Sequence, residues 1–180
     1  MKSQDLFNEI LLEIKNVLAK TDEKDFRKLV DVIAKSKRIF LAGSGRSGLI
    51  IETFAMRLAQ MDLPVFIVGE ANTPKIRTND LLIVVSGSGK TKLTLDVVKN
   101  SKKAKVYTIT SNKKSPIAKR SSYVVQIIAK TKSNKEKSIE PMGSLFEQSV
   151  LIYLDSVVLG LMQKMHKKES FLKKRHSKLR

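Results

Sequence analysis

The chain has no cysteine and no tryptophan, and only two of its 180 residues are histidine. The absence of cysteine excludes disulfide bonds and thiolate-based metal or redox sites. His166 and His176 alone are too few for a histidine metal cluster, so the sequence predicts no metal site. Because 42% of the residues are hydrophobic, the chain can bury one sizeable core, but it is short for two.

Long apolar runs are also missing. No segment approaches the ~20 consecutive apolar residues that would cross a bilayer. The N-terminal segment mixes acidic and basic side chains in an amphipathic pattern, unlike a signal peptide. We therefore expect a cytoplasmic protein without a membrane partner.

Acidic residues are scarce relative to basic ones, 17 against 35, and the formal net charge is +18. Such a charge favours an anionic partner, either nucleic acid or a phosphorylated metabolite. Nucleic-acid binding is better supported by a recognition motif or by aromatic residues beside the basic ones, but aromatics make up only 6% and the lysines are scattered. Nucleic acid is therefore not the expected partner.

The apolar pattern changes along the chain from helical to strand-like. Residues 1–36 show helical spacing twice, and residues 37–165 contain five short apolar runs that alternate with helical stretches at about 49–61, 92–100 and 144–165. This alternation predicts an α/β fold with a doubly wound parallel sheet and extra N-terminal helices. For a five-stranded sheet of this kind we take the order 2-1-3-4-5, which is one of the common doubly wound orders.

We expect a single domain over residues 1–180. It comprises N-terminal helices at 1–36, an α/β core at 37–165, and a basic C-terminal tail at 166–180 that is expected to be mobile. Within the core, the polar residues 130–138 are predicted to form an exposed loop.

Two turns rich in glycine and serine follow the first and third predicted strands. The first, residues 43–48, formally matches GxGxxG, and Glu70 lies about 20 residues further on, as in a dinucleotide site. The second, residues 86–91, has hydroxyl groups at alternating positions beside exposed amides, which suit a phosphate monoester. It is not a Walker A loop, because Val84 stands where that motif requires glycine.

In the order 2-1-3-4-5, the first and third strands are neighbours with helices on opposite faces, so both turns open into one crevice. We predict that this crevice binds a small phosphorylated ligand. The competing interpretation is that these residues make ordinary strand-to-helix turns and helix caps. The candidate phosphate-binding residues are Ser44, Ser47, Ser86, Gly87, Ser88 and Thr91.

Several motifs together resemble the 6-phospho-3-hexuloisomerase branch of the SIS (sugar isomerase) domain superfamily. They are GSGRSG, FAMRL, VGEANTP, SGSGKT, PMGSLFEQ and the C-terminal RH. The chain departs from that pattern at Ser144, where threonine is expected, and at Lys178, where asparagine is expected. The resemblance implies a phosphate site on the second turn, a homotetramer, and interconversion of 3-hexulose 6-phosphate with fructose 6-phosphate without an organic cofactor or metal.

Moving a carbonyl between adjacent carbons needs a base and stabilisation of the intermediate enediolate. Glu147 is the candidate base, because residues 141–143 would turn the chain toward the site just before a helix. Its competing role is a capping box with Ser144. Arg46, inside the first turn, is the candidate for holding a substrate oxygen or the developing negative charge.

Two further candidates lie outside the turns. His176 is the candidate for opening a cyclic sugar or shuttling a proton, which requires that the tail fold back or reach a neighbouring subunit. Glu70, at the end of the second strand, is expected to face substrate hydroxyls, a partner subunit or a nearby lysine.

Other functions stay open at this point. The same turns would serve an SIS isomerase of another sugar phosphate, such as arabinose 5-phosphate or sedoheptulose 7-phosphate. They would also serve a non-catalytic sugar-phosphate sensor like the regulators that carry this domain beside a helix-turn-helix. Fewer than forty residues precede the first strand, which is short for a DNA-binding module and linker.

Overall fold

The computed structural model describes residues 2–176. Its elements follow one another as α1 (Ser3–Leu18), α2 (Glu23–Lys35), β1 (Ile39–Gly43), α3 (Arg46–Gln60), β2 (Val65–Ile67), β3 (Leu81–Val85), α4 (Lys92–Asn100), β4 (Lys105–Thr110), a 3₁₀ turn (Ala118–Arg120), β5 (Tyr123–Gln126), α5 (Ser144–Lys164) and α6 (Glu169–Lys174). The predicted elements are therefore all present. Lys178 lies outside the described residues.

The five strands form one parallel sheet in the order β2-β1-β3-β4-β5. This order confirms the predicted α/β fold. The register pairs Gly43 with Val85, so β1 and β3 end at the same level of the sheet. The two glycine turns consequently leave the sheet side by side.

Alternate strand residues face opposite sides of the sheet, and each side has its own core. Leu41, Ile83 and Ile109 pack in one cluster with residues of α1, α2, α3 and α5. Apolar residues on the other side of the strands, such as Leu82 and Val84, pack in a second cluster with α4 and with Ile117, which precedes the 3₁₀ turn. The predicted placement of α3 and α4 on opposite faces is confirmed.

The helix α3 begins three residues earlier than the apolar pattern predicts. Its N-cap is Gly45, whose φ of +60° lies in the left-handed region that glycine tolerates best. The helix therefore starts inside the glycine turn at Arg46 and not at the first apolar residue, Leu49. This early start places the Arg46 side chain directly at the end of β1.

The helix α5 corrects the expectation that no segment approaches membrane-spanning length. Its 21 residues are long and apolar enough to cross a membrane by length and composition alone. Half of its most apolar stretch is nevertheless buried in the fold, where α5 contacts α1, α2 and α3. Its apolar character is accounted for by its position in the larger core cluster.

The basic tail is not free in its described part, which corrects the expectation of a mobile segment. Residues 169–174 form α6, which packs against α3 through the buried Leu172. Arg175 pairs with Asp62 at 3.1 Å, and the Lys167 ammonium donates to the carbonyl of Met61. These contacts attach the tail to the C-terminal end of α3.

Candidate functional site

The second glycine turn, residues 86–91, connects β3 to α4. Gly89 has a φ of +62°, and its amide donates to the carbonyl of Ser86 at 3.1 Å. The Ser86 and Thr91 hydroxyls lie 3.3 Å apart. Within the described chain, Thr91 makes no side-chain cap bond to α4, so the amides of the first helical turn remain available to an anion.

The first glycine turn, residues 43–48, meets the second through α4. The hydroxyl of Ser44 lies 3.1 Å from that of Thr94, a buried residue in the first turn of α4. Ser47 is nearly buried at the start of α3. The turns thus present serine hydroxyls from both faces of the sheet toward one space.

That space is a cavity of about 110 Å³ at the carboxyl edge of the sheet. Parallel α/β sheets bind ligands in this place, where the strand order reverses between β1 and β3. The cavity contains five of the six predicted phosphate-binding residues and the predicted base. Its lining residues are Ser44, Ser47, Gly87, Ser88, Thr91, Thr131, Lys132, Gly143, Phe146 and Glu147.

Glu147 and Arg46, the candidate base and the candidate cation, form an ion pair. The Arg46 Nε lies 2.5 Å from the Glu147 Oε2, although the two residues are far apart in the chain. The Glu147 side chain is only 12% exposed, whereas that of Arg46 is 60% exposed. The carboxylate is therefore held inside the wall, and the guanidinium covers it from the solvent side.

The capping-box interpretation of Glu147 is wrong. The N-cap of α5 is Gly143, and in the described chain it receives no side-chain cap bond. The backbone amide of Glu147 donates to the carbonyl of Gly143 at 3.0 Å, as in an ordinary helical turn. The Glu147 carboxylate is thereby left to interact with Arg46 and the cavity.

The segment after β5 contributes to the cavity, although the sequence predicted an exposed loop at 130–138. Thr131 is buried, and its amide donates to Asn134 Oδ1 at 2.8 Å. A Cβ at Gly87 would lie 3.1 Å from the Thr131 Cγ2, so this segment packs closely on the second turn. Lys132 is consequently held at the cavity. The signal for this placement is that residues 130–138 follow β5 in the same parallel sheet, because the carboxyl ends of parallel strands share one edge of the sheet.

Besides Ser86, which is buried and absent from the lining, two predicted residues are not brought to the cavity. Glu70 is exposed beyond β2, the outer strand of the sheet, and is absent from the lining. His176 follows α6, which is attached at Asp62 beyond the C-terminal end of α3. Since α3 has 15 residues, its ends are ~22 Å apart, and Arg46 lies at the other end. Within one chain, His176 is therefore distant from Glu147.

A larger cavity of about 640 Å³ lies at the opposite edge of the sheet. Its walls carry Lys28, Lys35, Lys37 and Lys105, but none of the predicted site residues. In residues 2–176, no group of three or more histidine, aspartate or glutamate side chains is placed to hold a metal ion. The smaller cavity is therefore the candidate site.

Comparison with known proteins gives a consistent result. A family model described as the SIS domain matches residues 32–153. The chain is 40% identical over 169 residues to the 3-hexulose-6-phosphate isomerase of Bacillus subtilis, with 91% of both chains covered. It is 35% identical over 182 residues to the protein of the same name from Methanocaldococcus jannaschii, with 99% of this chain and 98% of the relative covered.

A solved structure gives the same likeness in three dimensions. It is that of a Methanococcus jannaschii protein from which a 3-hexulose-6-phosphate isomerase function was inferred. The TM-score is 0.86 at 33% identity, and the match covers 98% of this chain and 99% of that one.

Proposed function

This chain belongs to the SIS domain family, and we propose that it is an isomerase that interconverts 3-hexulose 6-phosphate and fructose 6-phosphate. The relatives of that name support the substrate, since they match this chain over almost their whole length. The observation that carries the mechanism is the Arg46–Glu147 pair at the wall of a cavity lined by two hydroxyl-rich turns.

The phosphate group binds at the second turn. Ser88 and Thr91 supply hydroxyl donors, and the amides of the turn and of the start of α4 supply further donors to a dianion. The buried Ser86 hydroxyl lies 3.3 Å from that of Thr91 and supports it. Ser44 and Ser47 approach from the first turn. Lys132 adds a positive charge that these neutral groups lack.

The chemistry is a proton transfer between two carbons. Glu147 removes the proton from C2 of 3-hexulose 6-phosphate, and the 2,3-enediolate forms as the C3 carbonyl gains negative charge. Return of the proton to C3, together with transfer of the O2 hydroxyl proton to O3, leaves the carbonyl at C2, which gives fructose 6-phosphate. Arg46 leaves its pairing with Glu147 to hold the enediolate oxygens, and Glu147 becomes free to act as the base.

The enzyme acts as a homotetramer in the cytoplasm, where phosphorylated sugars are made and consumed. Exposed apolar side chains on α1 support the assembly, because Phe7, Leu11 and Leu12 are each more than half exposed. A neighbouring subunit is also what would bring His176 or Glu70 to a site. Sedimentation equilibrium gives the mass directly, and a monomer at assay concentration would contradict the assembly.

The test of function is incubation with fructose 6-phosphate in deuterated water, followed by NMR. We expect the 3-keto isomer to appear and deuterium to enter at the sugar carbons. Glu147→Gln should lower kcat by about 10²- to 10⁴-fold, because it removes the base. It should change stability little, because its partner Arg46 is largely exposed.

Matched measurements separate this function from the alternative functions. The same incubation with arabinose 5-phosphate or sedoheptulose 7-phosphate would show exchange if the enzyme were another sugar-phosphate isomerase. Binding of fructose 6-phosphate without any exchange would indicate a sensor. A folded Glu147→Gln variant with full turnover would remove Glu147 from the mechanism.

A further inference from the structure

A second carboxyl group, that of Glu140, lies beside the proposed catalytic pair and is buried. Glu140 is 8% exposed and precedes the turn that leads into α5. Its Oε1 accepts a hydrogen bond of 2.5 Å from the side-chain Nε2 of Gln148, the residue after Glu147. Its Oε2 is fully buried and has no hydrogen-bond partner among the described residues.

Charged groups face Glu140 from three helices. Glu13 of α1 anchors the preceding segment, accepting hydrogen bonds from the Ser138 hydroxyl at 2.6 Å and the Ile139 amide at 3.1 Å. Arg46 of α3 and Glu147 of α5 are within electrostatic range of the Glu140 carboxyl. The ammonium of Lys130 donates to the backbone carbonyl of Glu140 at 3.0 Å and not to its side chain.

The surroundings favour the neutral form of this group. Burial raises the pKa of Glu140, and the hydrogen bond from Gln148 opposes that shift. The negative charges of Glu13 and Glu147 raise the pKa further, and Arg46 lowers it. An ionised carboxylate with one buried, unpartnered oxygen would be costly, and protonation lowers that cost by removing the charge.

We propose that Glu140 is a positioning residue that stays protonated in the working enzyme, so that Arg46 pairs with Glu147 alone. The proposal rests on the proposed isomerase function. If Glu140 were ionised, a second carboxylate would compete for the one guanidinium. Arg46 would then be displaced from Glu147 and from the enediolate oxygens, and the rate would fall as the pH rises.

The protonation state is tested first, by the stability of Glu140→Gln between pH 4 and pH 9. A carboxyl group whose pKa is raised by folding destabilises the native state as pH rises above its unfolded pKa. We therefore expect the variant to exceed the wild type in Tm by a few degrees at neutral and alkaline pH, and the difference to shrink toward pH 4. Glu136→Gln, an exposed residue of the same loop, is the matched control and should show no such trend.

The positioning role is tested by the pH profile of kcat. The ratio of the Glu140→Gln rate to the wild-type rate should rise several-fold from neutral to alkaline pH, because the glutamine cannot ionise. A purely structural role would move Tm and leave this ratio constant. A rate ratio that does not change with pH therefore refutes the positioning role of Glu140. A lower Tm for Glu140→Gln than for the wild type at neutral pH refutes the protonated state of Glu140.

A direct measurement covers the case in which the variant does not fold. Carboxyl ¹³C NMR of the wild-type protein labelled at glutamate should show one buried carboxyl group whose pKa is raised above the ordinary range of glutamate. If all glutamates titrate normally, the proposal fails. Both this measurement and the Tm comparison are independent of turnover, so a protein without isomerase activity would refute the proposed function and leave the state of Glu140 measured.

Discussion

Replacement of Gly89 by alanine tests what the second turn requires of its backbone. Gly89 has a φ of +62°, and a Cβ there would overlap with the Cβ and Oγ of Ser115. Gly45 in the first turn is a matched control. Its φ is +60°, but no heavy atom lies within 4 Å of its Cβ position. Both substitutions place an alanine at a positive φ, and only Gly89→Ala adds a steric overlap.

The expected magnitudes follow from these two terms. An alanine in the left-handed region costs about 1–2 kcal/mol, and forcing an extra methyl group into a packed site adds about 1–3 kcal/mol. Gly45→Ala should therefore cost about 1–2 kcal/mol, and Gly89→Ala about 2–5 kcal/mol. At about 2–4 °C per kcal/mol for a chain of this length, the Tm should fall by ~2–8 °C and ~4–20 °C respectively.

Thermal and urea unfolding of both variants measure the difference. A double-mutant cycle with Ser115→Gly isolates the overlap, because removing that side chain should recover part of the loss at Gly89 and none at Gly45. Equal losses in the two variants, or no coupling to position 115, would refute the steric reasoning. The KM for fructose 6-phosphate should also rise in Gly89→Ala, since Ser88 and Thr91 flank this residue.

Two further predictions concern charges. Lys132→Gln should raise the KM for fructose 6-phosphate by about 10- to 100-fold, which is the contribution of a hydrogen bond to a charged group, and should change kcat less. The control Lys135→Gln, at an exposed position of the same loop, should change the KM by no more than about twofold. Equal effects of the two substitutions on the KM would contradict a specific role for Lys132. Asp80→Ala should cost about 2–4 kcal/mol, because it leaves the partly buried Arg38 without its partner at 2.5 Å. Asp31→Ala removes the partner of Lys164 in a solvent-exposed pair and should leave the Tm nearly unchanged. Burial raises the pKa of Asp80, but hydrogen bonds from Arg38 and the Arg77 amide outweigh burial and lower the pKa. The difference in unfolding free energy between Asp80→Ala and the wild type should therefore narrow as pH falls below about 4. A difference in unfolding free energy that is independent of pH would contradict this assignment.

The fold could be predicted because its signals are local. Apolar runs that end in glycine and serine mark the strands, and the helical stretches between them require crossovers of one hand. These two facts predict a doubly wound parallel sheet, and the order 2-1-3-4-5, taken as a common order of that fold, brings the turns at residues 43–48 and 86–91 together. The boundaries were less predictable, since α3 begins at a glycine N-cap that the apolar spacing does not reveal.

The parts of the site that could not be predicted depend on contacts distant in sequence. The pattern indicated roles for Arg46 and Glu147, but nothing in it showed that they pair with each other. Lys132 lies in a polar segment whose ordered part depends on Asn134 and Gly87. Glu140 is polar beside a proline, which is typical of an exposed loop, and only the packing of α1 and α5 buries it.

The order of these segments along the chain has a consequence for synthesis. Both turns that would bind phosphate are complete once residue 91 has left the ribosome, whereas Thr131, Lys132 and Glu147 emerge much later. Glu13 is synthesised among the first residues, but its carboxylate can accept its hydrogen bonds only after Ser138 and Ile139 have been made. A growing chain thus carries both glycine turns well before the lysine and the carboxylate that complete the cavity.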